Sequence, residues 1–172
     1  MSLRSLNPLW PLLAAIASAL MLAAAHAFEA FGHLPPCELC LKQREVYWVA
    51  LAVGLAGFAL GRGLKRPLLL NLASLLLALI FLFGAGLAAY HAGVEWKWWP
   101  GPQACTGQGR ATAAGIAALM NGARIAGPSC DVAAWRMAGL SMAGWNALIS
   151  LVLMLISFQA IGRTRRRGLD PI

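Results

Sequence analysis

Charge is what this sequence lacks most. Of its 172 residues only 12% are charged, against 60% hydrophobic, whereas soluble domains run near 25% charged and about 45–50% apolar. A chain this short still has a large surface to cover, so the shortage excludes an ordinary soluble domain and leaves lipid as the solvent for the excess. Acids are the scarcer sign, six against fourteen Lys and Arg, for a net charge of +8. A basic face interleaved with aromatics, the footprint of a nucleic-acid binder, is also missing: the basic residues cluster between apolar runs and at the tail. That pattern excludes nucleic acid as a partner. No repeat and no composition break marks a second domain, so residues 1–172 form one unit. Histidine is limited to His26, His33 and His91, which bears on metals below.

Long apolar runs are abundant. Four of them, at about 8–28, 46–60, 67–91 and 142–161, approach or exceed the roughly 20 helical residues that cross a bilayer core. They predict an all-α membrane protein, a four-helix bundle with outer loops at about 29–45 and 92–141. The second run is the shortest and reaches a full span only if its helix starts upstream, near Cys37. Lys and Arg in the short connections set orientation. Arg4, then Arg62, Lys65 and Arg66, then Arg163 and Arg165 to Arg167 place both termini inside and both loops outside. Ala25-His26-Ala27 also resembles a leader-cleavage site, but the preceding apolar stretch is long for a leader and Pro11 interrupts it. Trp96, Trp98 and Trp99 suit the headgroup level. Residues 112–127 suit either a short helix lying in the interface or an Ala/Gly-rich connector weakened by Gly115 and Gly122.

All four cysteines fall in the loops: Cys37 and Cys40 in "LPPCELCLKQREVYW", Cys105 and Cys130 in the second loop. Free cysteines are ordinarily buried, and an oxidising outer compartment favours disulfides. Three connectivities are possible; Cys37–Cys40 with Cys105–Cys130 is the natural proposal. Closing the longer loop would contribute roughly 3 kcal/mol, so a structural clip fits that pair. It fits a C-x-x-C poorly, because so short a loop constrains little chain. Zinc would need two further ligands, and no histidine stands at ligand spacing with the second pair, so no metal is expected. Pro35-Pro36 suits a helix start, which puts Cys37 and Cys40 in a first turn where the dipole favours thiolate. Arg44 follows Cys40 at i+4 and can lie over its sulfur, lowering the thiol pKa or meeting an anionic or carbonyl oxygen.

The words "PPCELCLKQR", "YHAGVEWKWWPGPQAC" and "SCDVAAWRMAGLSMAGWN", with four spans around them, resemble the disulfide bond formation protein B (DsbB) family over nearly the whole chain. The resemblance implies a quinone-linked thiol oxidoreductase of the bacterial inner membrane, cysteine loops periplasmic and termini cytoplasmic. A soluble thioredoxin-like oxidase of the DsbA type would attack Cys105–Cys130, most readily at Cys105. Cys130 would then open Cys37–Cys40, and Cys40 would meet ubiquinone or menaquinone, non-covalently or as a transient adduct. Arg44 would bind the quinone and His91 would line its site. Trp135 and "GLSMAGWN" would dock the second loop onto the fourth span. Two rivals stand beside this. A vitamin K epoxide reductase-like enzyme has its cysteine pairs in the opposite order, and a disulfide-clipped, non-catalytic membrane protein would transfer no electrons.

Overall fold

The computed structural model describes residues 7–102, Met120 and residues 129–167. A 3-10 turn at Asn7–Leu9 leads into helix α1, Trp10–Ala30. Helices α2, Glu38–Gly63, and α3, Pro67–Glu95, follow. A two-stranded hairpin, β1 Arg136–Met137 and β2 Leu140–Ser141, runs directly into α4, Met142–Arg167. The stretch 112–127, for which an interfacial helix was one expectation, lies outside the described residues apart from Met120.

Sequence accounts for the helix ends. Pro11 and Pro67 occupy the first turns of α1 and α3, where a missing N–H costs nothing. Between α2 and α3 the chain turns in three residues, and Lys65 takes a positive φ of 49°. Helix α2 starts at Glu38 with Cys37 as its N-cap, so it is far longer than the apolar run at 46–60, as the position of the cysteines required. Pro35 and Pro36 precede the helix rather than occupying its first turn: Cys37 is extended, φ −77° and ψ 171°, and only then does the helix begin.

All four helices are long and apolar enough to cross a membrane, and their packing is that of a lipid-embedded bundle. Large leucines such as Leu20, Leu68, Leu72 and Leu79 face outward. The helix contacts are made by small or hydroxylated residues instead, with Ala14, Ser18, Ala73, Ser74, Ser150 and Ser157 buried. Lipid tails are as apolar as leucine, so helices associate through close backbone approach and interhelical hydrogen bonds. Trp10 on α1 donates its indole N–H to Ser157 on α4 at 3.0 Å. A core of Tyr47, Ala50, Leu77, Phe81 and Leu153 fills the centre.

Gly54 marks where α1 and α2 touch, since a β-carbon there would lie 2.6 Å from the Pro11 carbonyl oxygen and 3.0 Å from the Ala15 β-carbon. Backbone cannot yield as a flexible side chain does. Gly54→Val should therefore destabilise the protein by about 1–3 kcal/mol, measured as denaturant unfolding in detergent micelles. Unchanged stability would mean that α1 does not pack on α2 at this point.

Candidate functional site

The N-terminal end of α2 carries the dithiol. As N-cap, Cys37 accepts the Cys40 backbone N–H at 3.3 Å. The two Sγ atoms are 3.0 Å apart, and both residues are free thiols. Cys130 is disulfide-bonded and packs in one buried cluster with Cys37 and Leu39. Cys105 lies outside the described residues. The fold thus brings three of the expected site positions, Cys37, Cys40 and Cys130, to one end of the bundle.

His91 lies at the dithiol. It is buried on α3 beside Cys37, its Nε2 3.6 Å from the Cys37 sulfur, and it is absent from the wall of the larger cavity. A chain of buried side chains holds it there. Tyr47 Oη donates to Asn146 Oδ1 at 2.5 Å, because an amide oxygen only accepts. Asn146 Nδ2 donates to Gln43 Oε1 at 2.5 Å, and Gln43 Nε2 meets His91 Nδ1 at 2.9 Å. With Nδ1 taken as acceptor, the imidazole hydrogen sits on Nε2 and points toward Cys37.

Cys37 titrates accordingly. Its thiol is held far below the usual range, chiefly by the hydrogen bond from Cys40, with burial opposing and His91 adding to the lowering. Either sulfur can donate in the neutral pair, but once Cys37 is ionised the Cys40 S–H must. The expected cation over Cys40 is not there. Arg44 instead donates to Glu29 Oε2 at 2.5 Å and to the Ala25 carbonyl at 3.1 Å. An exposed carboxylate on the neighbouring helix is a better partner for guanidinium than a sulfur, so Arg44 bridges α2 to α1.

Two cavities meet at Cys40. The larger, about 400 Å³, is walled by Met21, Phe28, Met142, Trp145 and Ile149, with Cys40, Gln43, Arg44, Tyr47 and Asn146 as its polar points. The smaller, about 240 Å³, takes Cys37, Cys40, His91 and Glu95. Trp135 closes the larger one from above. It packs at a tilt of 48° against Phe28 of α1 with ring centroids 5.4 Å apart, so it ties the second loop to the first span as well as bordering the cavity walled by the fourth. The reason is the tight β1–β2 turn, in which Ala138 and Gly139 both have positive φ, 50° and 83°; this is the twist that suits a two-residue hairpin. It reverses the chain and turns Trp135 back over α1, while Trp145 of α4 donates to the Met137 carbonyl at 3.1 Å.

Loop segments are anchored on the same end. Trp99 stacks on Tyr90 at 6.0 Å, nearly parallel, and lies so close to Gly93 that a β-carbon there would sit 2.1 Å from its ring. Lys97 pairs with Asp131 at 2.6 Å, which holds the Asp131 carboxyl below its usual range and ties the tryptophan segment to the neighbour of Cys130.

Gln43, Tyr47, Asn146 and Glu95 were not singled out from the sequence. One signal was present: polar residues inside apolar spans are few and tend to be functional. Cys40, Gln43 and Tyr47 also follow an i, i+3, i+7 spacing along one helix face.

Comparison with known proteins places the chain as a whole. The family model described as "Disulfide bond formation protein DsbB" matches residues 7–160. A "Disulfide bond formation protein B" from Dechloromonas aromatica (strain RCB) is 32% identical over 136 residues, covering 75% of this chain and 76% of that one.

If the polar chain tunes Cys37, its alkylation by iodoacetamide should hold a plateau well below the ordinary thiol pKa of about 8.5. His91→Ala removes a donor to the thiolate, so the midpoint should move to higher pH; Gln43→Leu should move it in the same direction and by less. Mass spectrometry across a pH series, on protein carrying Cys105→Ser and Cys130→Ser, measures this. An unmoved midpoint in His91→Ala would remove histidine from the account.

Proposed function

The chain belongs to the DsbB family and is a multi-pass membrane protein that serves disulfide-bond formation; from that premise we propose that it re-oxidises a soluble dithiol oxidase and passes the two electrons to membrane quinone. The observation that carries this reading is the cavity of about 400 Å³ beside Cys40. An apolar cleft with a few convergent polar groups is what a small lipophilic ligand requires. The walls of Met, Phe, Trp and Ile fit a quinone ring and the first part of its tail, and Arg44, Gln43 and Asn146 retain N–H groups for its carbonyl oxygens. A quinone bound there supplies a two-electron oxidant that leaves with two protons.

The chain's own residues do the rest. The partner's thiolate attacks the disulfide of Cys130, which the family pattern joins to Cys105. The attack, most readily at Cys105, joins the partner to Cys105 in a mixed disulfide and releases Cys130 as a thiolate. That thiolate attacks Cys37, the sulfur it already neighbours in the buried cluster, and Cys40 leaves. The partner's second thiolate then closes the partner's disulfide and frees Cys105, which attacks Cys130 and expels Cys37, a good leaving group because its hydrogen bonds favour the thiolate. Cys40, lining both cavities, is the sulfur positioned to pass electrons into the larger one. Re-forming Cys37–Cys40 releases two electrons and two protons and returns the protein to its starting state. Arg44, steadied by Glu29, places positive charge on the cavity wall where a developing oxyanion would be stabilised.

Orientation follows from the basic residues. Arg62, Lys65 and Arg66 lie at the α2–α3 turn, opposite the cysteine end, so the positive-inside rule puts the dithiol on the outer face of a bacterial inner membrane. A DsbA-type oxidase is the partner available there.

Purified protein should reduce ubiquinone in step with oxidation of a reduced DsbA-type partner, and each of Cys37→Ser, Cys40→Ser, Cys105→Ser and Cys130→Ser should abolish turnover. Wild-type rates in Cys40→Ser would refute the relay and favour a disulfide-clipped, non-catalytic protein. Arg44→Ala should raise the apparent KM for quinone by about tenfold or more, the scale of one charged hydrogen bond. An unchanged KM would leave Arg44 as a link between α1 and α2 only.

A further inference from the structure

The smaller cavity holds a donor set that electron transfer does not account for. Cys37, Cys40 and His91 offer ligand atoms that all lie within 4.8 Å of one another. The fold thereby supplies the third ligand that sequence spacing argued against, from a histidine 54 residues after Cys37. Glu95, one turn after His91, stands next to this group: its Oε1 lies 3.8 Å from His91 Nε2, and its side chain is only 5% exposed. Its Oε2 is buried without any hydrogen-bond partner. A carboxylate oxygen left unsatisfied in a protein interior is costly, and Glu95 lines the same cavity as Cys37, Cys40 and His91.

We propose that Cys37, Cys40 and His91 form a site for a thiophilic divalent cation, Zn²⁺ or Cd²⁺, that exists only while the cysteines are a dithiol, with the Glu95 carboxylate swinging in from beside it as the fourth ligand. The separation of Cys37 and His91 is that of a tetrahedral centre. With Zn–S of about 2.3 Å and Zn–N of about 2.05 Å, a tetrahedral centre separates sulfur from nitrogen by about 3.6 Å; Cys37 Sγ and His91 Nε2 are 3.6 Å apart. The same geometry separates two sulfurs by about 3.8 Å, against 3.0 Å between Cys37 and Cys40, a difference that side-chain rotation covers. Two thiolates, one imidazole and one carboxylate are a ligand set that zinc accepts.

The buried polar chain accommodates the ion as well as the thiolate. A metal on Nε2 moves the imidazole hydrogen to Nδ1, where it needs an acceptor. The Gln43 amide supplies one by turning its oxygen to the ring, and Asn146 and Tyr47 can reverse with it, since an amide and a hydroxyl both donate and accept. Binding displaces the thiol protons to solvent and moves no electrons. Closing the Cys37–Cys40 disulfide removes both sulfur ligands, so oxidation expels the ion and a bound ion blocks oxidation.

The test uses the full chain in detergent, with Cys105→Ser and Cys130→Ser so that Cys37 and Cys40 are its only cysteines, and Cd²⁺ as the probe. The reduced protein should take up one equivalent with a sulfur-to-cadmium charge-transfer band in the ultraviolet. The same protein oxidised to the disulfide should show none. Glu95→Gln and His91→Gln, both close in size to the native residues, should each weaken binding by about tenfold or more. No band in the reduced form, an unaltered band after oxidation, or unaltered affinity in either variant would overturn the site. The measurement involves neither quinone nor protein partner, so it can fail while the electron relay stands, and the relay can fail while it stands.

Discussion

The hydrogen bond between Gln43 and His91 is the contact on which the rest of the site depends. It lies in a bundle whose outer surface is leucine and whose solvent is lipid, where a polar group without a protein partner has no water to turn to. Gln43 belongs to α2, His91 to α3 and Asn146 to α4, and Tyr47 closes the chain back onto α2 while contacting Ser150 at 3.0 Å. Each member satisfies the next, so the three helices have one register at this level. The same bonds decide which imidazole nitrogen faces Cys37. A structural requirement of the membrane interior and a chemical requirement of the dithiol are met by one set of side chains.

Around that chain the two cysteines have separate surroundings, although they sit one helical turn apart. Cys37 is the cap of α2, turned toward His91, Glu95 and the cluster that contains Cys130. Cys40 borders the apolar cavity with Arg44. In the proposed relay this asymmetry assigns each sulfur one kind of partner, protein sulfur for Cys37 and a lipophilic acceptor for Cys40. It also explains why a C-x-x-C suits the position better than two distant cysteines: three residues of helix are enough to place the sulfurs in contact and still open them to different cavities.

The second loop is secured by few but specific contacts. Trp135 rests on Phe28, Lys97 holds Asp131, and Trp99 occupies the space over Gly93. The ends of the loop are thereby fixed on the bundle beside Cys37, in a cluster that already contains Cys130.

Much of this could be foreseen from residues alone. Run length and the shortage of charge determined four spans, since only lipid can solvate so apolar a chain. The shortness of the run at 46–60 required α2 to begin at the cysteines. Loop placement of all four cysteines pointed to redox chemistry. Other features depended on tertiary structure. Arg44 at i+4 was expected over Cys40, but helical spacing says nothing of Glu29 on another helix, and a carboxylate outcompetes a sulfur for guanidinium. His91 and Glu95 share a face at i, i+4, yet only the packing of α3 against the start of α2 brings them to the dithiol. Periodicity records which residues share a helix face; which faces meet, and which buried polar groups must therefore find each other, is decided by packing.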